Sequence, residues 1–296
     1  MAASSCSSQS SHTSASSLPE DALQRNPHSQ KLVADVEQWA TVSSIYGPVH
    51  SWRLGWSLGV DLLVQSSICS FNCVYCQLGD IQVKTAERAI YIPTDKVERD
   101  LRLSDWEKAD IITFSGNGEP TLALNIAEVH DAIKSYTNKP TMLLTNSTLL
   151  HQPQVRADIA KFDHIACKLD ASNDTILQRM NRPVQGVTHE SIVAGIEALR
   201  QDYTGKLSLQ CMFMPTNHED VEALATLVQR IQPDEVQLNT PKRPYPLSWI
   251  VENRGNHSDA IVESRTLRTI SEPEADRIEA LIRERLEVPV LSIYRR

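Results

Sequence analysis

The chain has 296 residues, 41% of them hydrophobic and 22% charged, with a formal net charge of −8. That composition provides an ordinary buried core and excludes wholesale disorder. The acidic balance argues against a broad electrostatic footprint for nucleic acid, while a shaped local RNA site stays open. No run of about 20 apolar residues occurs, so no membrane-spanning helix is expected. No apolar stretch follows Met1 either, which points to a cytoplasmic chain rather than a secreted one. Six cysteines are too few for a disulfide scaffold, and three of them fall within eight residues, as in a metal centre.

In chain order, the first 18 residues contain nine serines, and residues 1–30 are expected to form a disordered tail. A transit peptide would carry arginines, and none precedes Arg25. Residues 31–296 read as a single domain with a C-terminal helical extension. Short apolar runs at Val60–Gln65, Asp110–Ser115, Thr141–Thr145, His164–Leu169, Leu207–Phe213 and Glu235–Leu238 predict strands. Between them lie amphipathic helices: Ile192, Ile196 and Leu199 share one face, as do Val221, Leu224, Leu227, Val228 and Ile231. Helix starts are expected at Thr188, at Asn217 and at a capping box over Ser271–Glu274. The alternation predicts an α/β fold with a parallel sheet. An open doubly wound sheet and a complete or partial barrel both fit, and both place ligands at the C-terminal ends of the strands.

The residues just beyond each strand therefore matter most. After the first come Cys69, Cys73 and Cys76, spaced C-x3-C-x2-C. Structural zinc normally takes four protein ligands, so this set is one short unless His50, Cys167 or Cys211 completes it. A 4Fe–4S cube on three thiolates instead leaves one iron open for chemistry. Three inert buried cysteines make little packing sense on a Ser/Asn loop. After the second strand comes Gly116-Asn117-Gly118-Glu119-Pro120, a turn that lets backbone approach a ligand closely.

In combination, Cys69, Cys73 and Cys76 with Tyr75 before the last, and Gly118-Glu119-Pro120, resemble the C-x3-C-x-Φ-C and GGEP motifs of the radical S-adenosylmethionine superfamily. Asn117 stands where the second motif has its first glycine. Ile45-Tyr46-Gly47-Pro48-Val49 with Arg53-Leu54-Gly55, and Gln237-Leu238-Asn239-Thr240-Pro241 with Arg243-Pro244, look most like the wyosine-synthase-like group. The resemblance covers roughly residues 45–240. It implies a partial (β/α)6 TIM-like barrel, a 4Fe–4S cluster on the three cysteines, and S-adenosylmethionine chelated to the open iron. It also implies a flavodoxin- or ferredoxin-type electron donor, whose electron cleaves the cofactor to a 5′-deoxyadenosyl radical that abstracts hydrogen from substrate.

On that reading Gly116, Asn117, Gly118 and Glu119 are cofactor-binding candidates. Asn146 after the third strand joins them, with an Asx turn as its plain alternative. Lys168 meets the cofactor carboxylate, with Asp170 beside it; a Lys168–Asp170 surface pair is the alternative. Asn239 is a weaker candidate. Lys242 and Arg243, after the sixth strand, suit a phosphate- or carboxylate-bearing substrate unless they form a solvated loop, and Arg53 is a second such candidate. Cys167 and Cys211 read as small core residues. The tRNA-modifying members carry extra N-terminal cysteines for a second cluster. This chain has only Cys6 there, so a second cluster is not expected. The substrate is left as a small molecule or a tRNA nucleoside. A protein-modifying radical activase and a non-catalytic cysteine metal module are the alternatives.

Overall fold

The computed structural model describes residues 42–256 and 263–294; the serine-rich tail, residues 1–30, lies outside them. One sheet carries eight strands: β1 (Ile45–Ser51), β2 (Gly55–Val60), β3 (Ile111–Phe114), β4 (Thr141–Thr145), β5 (His164–Lys168), β6 (Lys206–Met212), β7 (Glu235–Asn239) and β8 (Val290–Ser292). Each strand pairs with the next in sequence; β1–β2 is antiparallel and every later pair is parallel.

Parallel strands need helical crossovers. They are supplied by α1 (Thr94–Arg102), α2 (Ile126–Tyr136), α3 (Pro153–Ile159), α4 (Asp174–Met180), α5 (His189–Asp202), α6 (Val221–Ile231) and α7 (Glu272–Arg285). A strictly sequential order has no topological switch point, which decides against the doubly wound sheet. Several helices next in order pack on one another, as in the outer layer of a barrel. β1 and β8 occupy the two edges and do not pair with each other among the described residues, so the barrel is partial.

Strand alternation sorts the side chains. On β5, β6 and β7, Ile165, Cys167, Leu207, Leu209, Val236 and Leu238 are buried on one face. His164, Lys168, Ser208, Gln210, Glu235 and Gln237 lie on the other. Leu54, from the β1–β2 turn, packs on Ile111, Met142 and Ala166 at the N-terminal end of that second face, the interior.

Four boundaries differ from the sequence expectation. The first parallel strand is Gly55–Val60, not Val60–Gln65. Asp61 ends it by accepting the Leu63 N–H at 2.9 Å, so the buried run beyond is a turn. Gly55 and Gly59 disguise the true strand, and at Gly59 the Tyr46 ring leaves no room for a Cβ. The Ser271 capping box does not close: Ser271 is the N-cap without a side-chain bond, because Glu274 turns to His218. Asn217 does not start α6, which begins after Asp220. It instead braces a turn, donating to the carbonyls of Asp170 and Met212, each at 2.8 Å. The C-terminal helix is followed by β8, which the helical reading missed. Thr188 does cap α5, through a box with Ser191.

Candidate metal centre

The cysteines sit on a loop held from both sides. Ile68–Cys69 pairs in parallel with Val83–Lys84. Ile68 N–H donates to Asn117 O (2.8 Å) and Glu119 N–H to Ile68 O (3.0 Å), which stitches the glycine loop to the residue before the first cysteine. Gly118 makes this possible: its φ is +149°, and a Cβ there would stand 1.7 Å from Ile68 O. On the other side, Asn72 N–H donates to Asn181 O (2.8 Å), Val74 N–H to Met180 O (2.9 Å) and Val184 N–H to Ser70 O (2.9 Å). The segment after α4 is thereby fixed to the cysteine loop.

Each thiol meets an N–H donor. Phe71 N–H and Asn146 Nδ2 reach Cys69 Sγ, both at 3.4 Å. Asn181 Nδ2 reaches Cys73 Sγ at 3.4 Å, and the Leu78 amide bonds Cys76. Burial, reinforced by Glu119 and the other thiols, pushes Cys69 well above its usual range. Burial also raises Cys73, against the pull of Lys168, and lifts Cys76 to about 12. Three thiols on one loop, Cys73 buried and Cys69 and Cys76 partly so, with N–H donors at their sulfurs, suit a cation that takes the protons' place, since coordination deprotonates a thiol outright. Among the described residues no three His, Cys, Asp or Glu side chains group around a single metal ion. Three thiols are one short of the four protein ligands that structural zinc takes, and they suit a cube that leaves one iron open. Cys167 and Cys211 lie in strands, buried, with both thiols raised to about 12 by burial.

The glycine-loop candidates are engaged within the protein. A Cβ at Gly116 would meet the Asp61 carboxylate. Asn117, fully buried, donates to Asp61 Oδ2 (2.7 Å) and accepts from Trp249 Nε1 (3.3 Å), which accounts for a side chain at a glycine position. Asp61 is paired in turn with Arg254 at 3.0 Å. Glu119 accepts from Thr121 N (3.1 Å), Thr121 Oγ1 (2.6 Å), Thr145 Oγ1 (2.7 Å) and Asn146 N (2.6 Å), binding the ends of β3 and β4 together. Burial raises its pKa against those four donors. Asn146 does form the Asx turn, accepting from Thr148 N at 3.0 Å and Oγ1 at 2.8 Å, while its amide donates to Ser70 Oγ (2.9 Å) and Cys69.

Lys168 and Asp170 pair, but not on the surface: Nζ lies 3.7 Å from Asp170 Oδ1, with the side chains 17% and 0% exposed. Lys168 also reaches Gln210 Oε1 at 3.5 Å and lies 5.0 Å from the centre of the Tyr75 ring. Both Asp170 oxygens are taken, by Met212 N–H (2.8 Å) on one side and by Asn181 Nδ2 (2.9 Å) and the Tyr75 hydroxyl on the other. Asn239, half-buried at the end of β7, accepts the Thr240 N–H at 2.9 Å.

Arg243 reaches the cysteine loop, donating to Gln77 Oε1 at 3.0 Å. Burial lowers its pKa, with no carboxylate offsetting it. Lys242 is exposed and lies over the Tyr294 ring at 4.9 Å. Arg53 is not brought to this end. It enters from the β1–β2 turn and donates to Gln237 Oε1 at 2.8 Å, with burial lowering its pKa to about 10. Asn181 and the Asp61–Arg254 pair were not legible in the sequence, because their partners come from remote segments.

The family model for the Radical SAM superfamily matches residues 63–228. A UPF0026 protein of Synechocystis sp. is 47% identical over 220 residues, covering 74% of this chain and 83% of that protein. A UPF0026 protein of Methanocaldococcus jannaschii is 35% identical over 206 residues, covering 67% of this chain and 64% of that protein. Among solved structures, Streptococcus suis SuiB bound to the precursor peptide SuiA superposes with a TM-score of 0.58 at 14% identity. That match covers 91% of this chain and 54% of SuiB, so the chain spans about half of SuiB's length. TYW1 with a lysine-pyruvate adduct bound gives a TM-score of 0.53 at 14% identity, covering 77% of this chain and 73% of TYW1. At such identities these two show the fold alone. No described helix is long and apolar enough to cross a membrane. From the family match and the UPF0026 relatives together, the chain belongs to the radical SAM superfamily of enzymes, which work with a 4Fe–4S cluster, S-adenosylmethionine and a reductant.

Proposed function

We propose that Cys69, Cys73 and Cys76 hold the cluster at the C-terminal end of the barrel strands, and that the enzyme acts on a substrate carrying a phosphate or carboxylate. The single observation supporting this most is the loop itself, three thiols each met by an N–H donor. When bound, the cluster and S-adenosylmethionine supply reductive cleavage of the sulfonium and a 5′-deoxyadenosyl radical for hydrogen abstraction.

The chain's own residues supply the rest. Lys168, an interior cation beside the cysteine loop, offers its ammonium to the cofactor's carboxylate, and the Asp170–Asn181–Tyr75 bonds hold the floor beneath it. Gly116 to Glu119 shape the cofactor's cradle by fixing backbone, and Asn239 offers its amide from β7. Arg243 and Lys242 bind the substrate's anionic group, because Arg243 is partly desolvated without a carboxylate partner in the described chain. A flavodoxin- or ferredoxin-type donor in the cytoplasm fits this scheme, as does a place in the wyosine-synthase-like group, with a tRNA nucleoside or a small molecule as substrate.

The test is anaerobic reconstitution of the full chain followed by mass spectrometry for 5′-deoxyadenosine with dithionite as reductant. Brown protein that binds iron yet yields no 5′-deoxyadenosine would sink the proposal. Arg243→Ala should keep cofactor cleavage and lose substrate conversion in extract-fed reactions; Lys168→Met should lose about ten- to hundred-fold in cofactor affinity.

A further inference from the structure

Two of the three thiols receive side-chain amide donors, and the third does not. Asn146 Nδ2 has two hydrogens and two partners, Ser70 Oγ at 2.9 Å and Cys69 Sγ at 3.4 Å. Its orientation is fixed, because Oδ1 accepts from Thr148 N and Oγ1 and Thr148 Oγ1 in turn shares a 2.7 Å bond with Ser70 Oγ. Asn181 Nδ2 has two hydrogens for three acceptors, Asp170 Oδ2 and the Tyr75 hydroxyl, both at 2.9 Å, and Cys73 Sγ at 3.4 Å, so its bond to the sulfur is a shared one. A carboxylate oxygen can only accept, so the nitrogen of Asn181 must face that side. Both asparagines are buried, at 7% and 1% exposure. They come from different crossovers, one after β4 and one after α4. At Cys76, by contrast, the donor among the described residues is the Leu78 backbone.

The geometry points to Asn146 and Asn181 as positioning residues that set the reduction potential of the cluster through N–H···S bonds to Cys69 and Cys73. The inference rests on the cysteine-loop reading proposed above. Adding an electron to an iron–sulfur cluster increases negative charge on its sulfurs, and a donor stabilises the reduced state more than the oxidised one. The two amides therefore raise the potential and make the one-electron reduction that precedes cofactor cleavage easier. Hydrogen bonding to Ser70, Thr148, Asp170 and Tyr75 means that the donors are already aimed and need no reorganisation when the electron arrives.

The experiment is a potentiometric titration, followed by electron paramagnetic resonance, of the reconstituted full chain and its Asn146→Ala and Asn181→Ala variants. Asn146→Asp, which keeps the acceptor of the Asx turn, guards against misfolding of the first variant; Asn181→Ser does so for the second. Iron per chain is measured on every sample. The expected result is wild-type iron with a lower midpoint in each variant. At the wild-type midpoint the reduced-to-oxidised ratio should fall by up to tenfold, a shift of about 59 mV for a one-electron couple. The double variant should fall further. An unchanged midpoint in the iron-loaded variants overturns the inference. Folded variants that lose their iron overturn it too, since the asparagines would then serve assembly of the loop rather than the potential. Wild-type chain that takes up no iron would instead overturn the cysteine-loop reading.

Discussion

The two ends of the barrel carry polar networks of similar size and opposite character. At the N-terminal end Arg53 donates to Gln237, Gln237 Nε2 to Glu235 Oε1 at 2.8 Å, and Lys206 meets Glu235 Oε2 at 2.7 Å. Ser208 Oγ reaches Glu235 Oε1 at 3.2 Å and His164 Nε2 at 2.6 Å. The acid, its cation and the intervening amides and hydroxyl come from the chain itself. At the C-terminal end Lys168 has Asp170 at 3.7 Å, whereas Arg243 meets no carboxylate among the described residues. Buried polarity by itself therefore does not mark a site. What marks it is a charge whose counterpart the chain does not supply.

Substitutions that separate the two ends test this contrast. The largest effect is expected at the cysteines: alanine at Cys69, Cys73 or Cys76 should abolish the ~400 nm absorbance and 5′-deoxyadenosine formation. Alanine at Cys167 or Cys211 should leave iron content unchanged. If Cys167→Ala loses iron and Cys76→Ala keeps it, the contrast is drawn in the wrong place. Gly118→Ala should come next. A Cβ 1.7 Å from Ile68 O at φ +149° forces the glycine loop away from the cysteine loop, and a loss of about 2–4 kcal/mol in urea unfolding is expected.

The N-terminal network predicts a pH effect on stability rather than on chemistry. Burial, with Lys206 nearby, holds His164 down to about 4. Between roughly 6.5 and 4 the unfolded chain binds a proton that the folded chain does not, so stability is full above 6.5 and falls as pH drops through that window. From pH 7 to pH 5 the loss is about 2 kcal/mol. Glu235, lowered by Lys206 against its burial, contributes only at more acidic pH. Urea titrations at both pH values should show the drop in the wild type and not in His164→Gln; an equal drop in both would remove His164 as its source. The smallest effect is expected from Trp249→Phe, which removes the bond to Asn117 along with one ring of a half-buried side chain and should cost about 1 kcal/mol.

Much of this was legible in the sequence, and the misses have a common cause. Five of the six expected strands lie within a residue or two of their positions because their apolar runs are bounded by polar turns. The first was displaced because Gly59 yields space to Tyr46, a packing relation between two strands that local pattern does not contain. The C-x3-C-x2-C spacing of Cys69, Cys73 and Cys76 was readable because it is local. Asn146 was readable as a residue of interest, but its partner is the Cys69 sulfur, 77 positions away. Asn181 gave no signal at all: an asparagine before Arg182-Pro183 reads as the end of a helix, and it is one. Arg53 was misplaced because a basic residue among tryptophans looks the same at either end of a barrel.

The bond between Asp61 and Arg254 joins positions 193 apart, with the segment between them carrying both the cysteine loop and its cover. Closing a loop of that length costs about 5 kcal/mol of chain entropy. On a ribosome adding roughly 5–20 residues per second, Arg254 is made on the order of 10–40 s after Asp61. For most of that interval the three thiols exist without the strap of Arg243, Tyr245 and Trp249 that later lies across Gln77, Asp80 and Asn117. The order of synthesis therefore makes the cysteine loop before the segment that covers part of it.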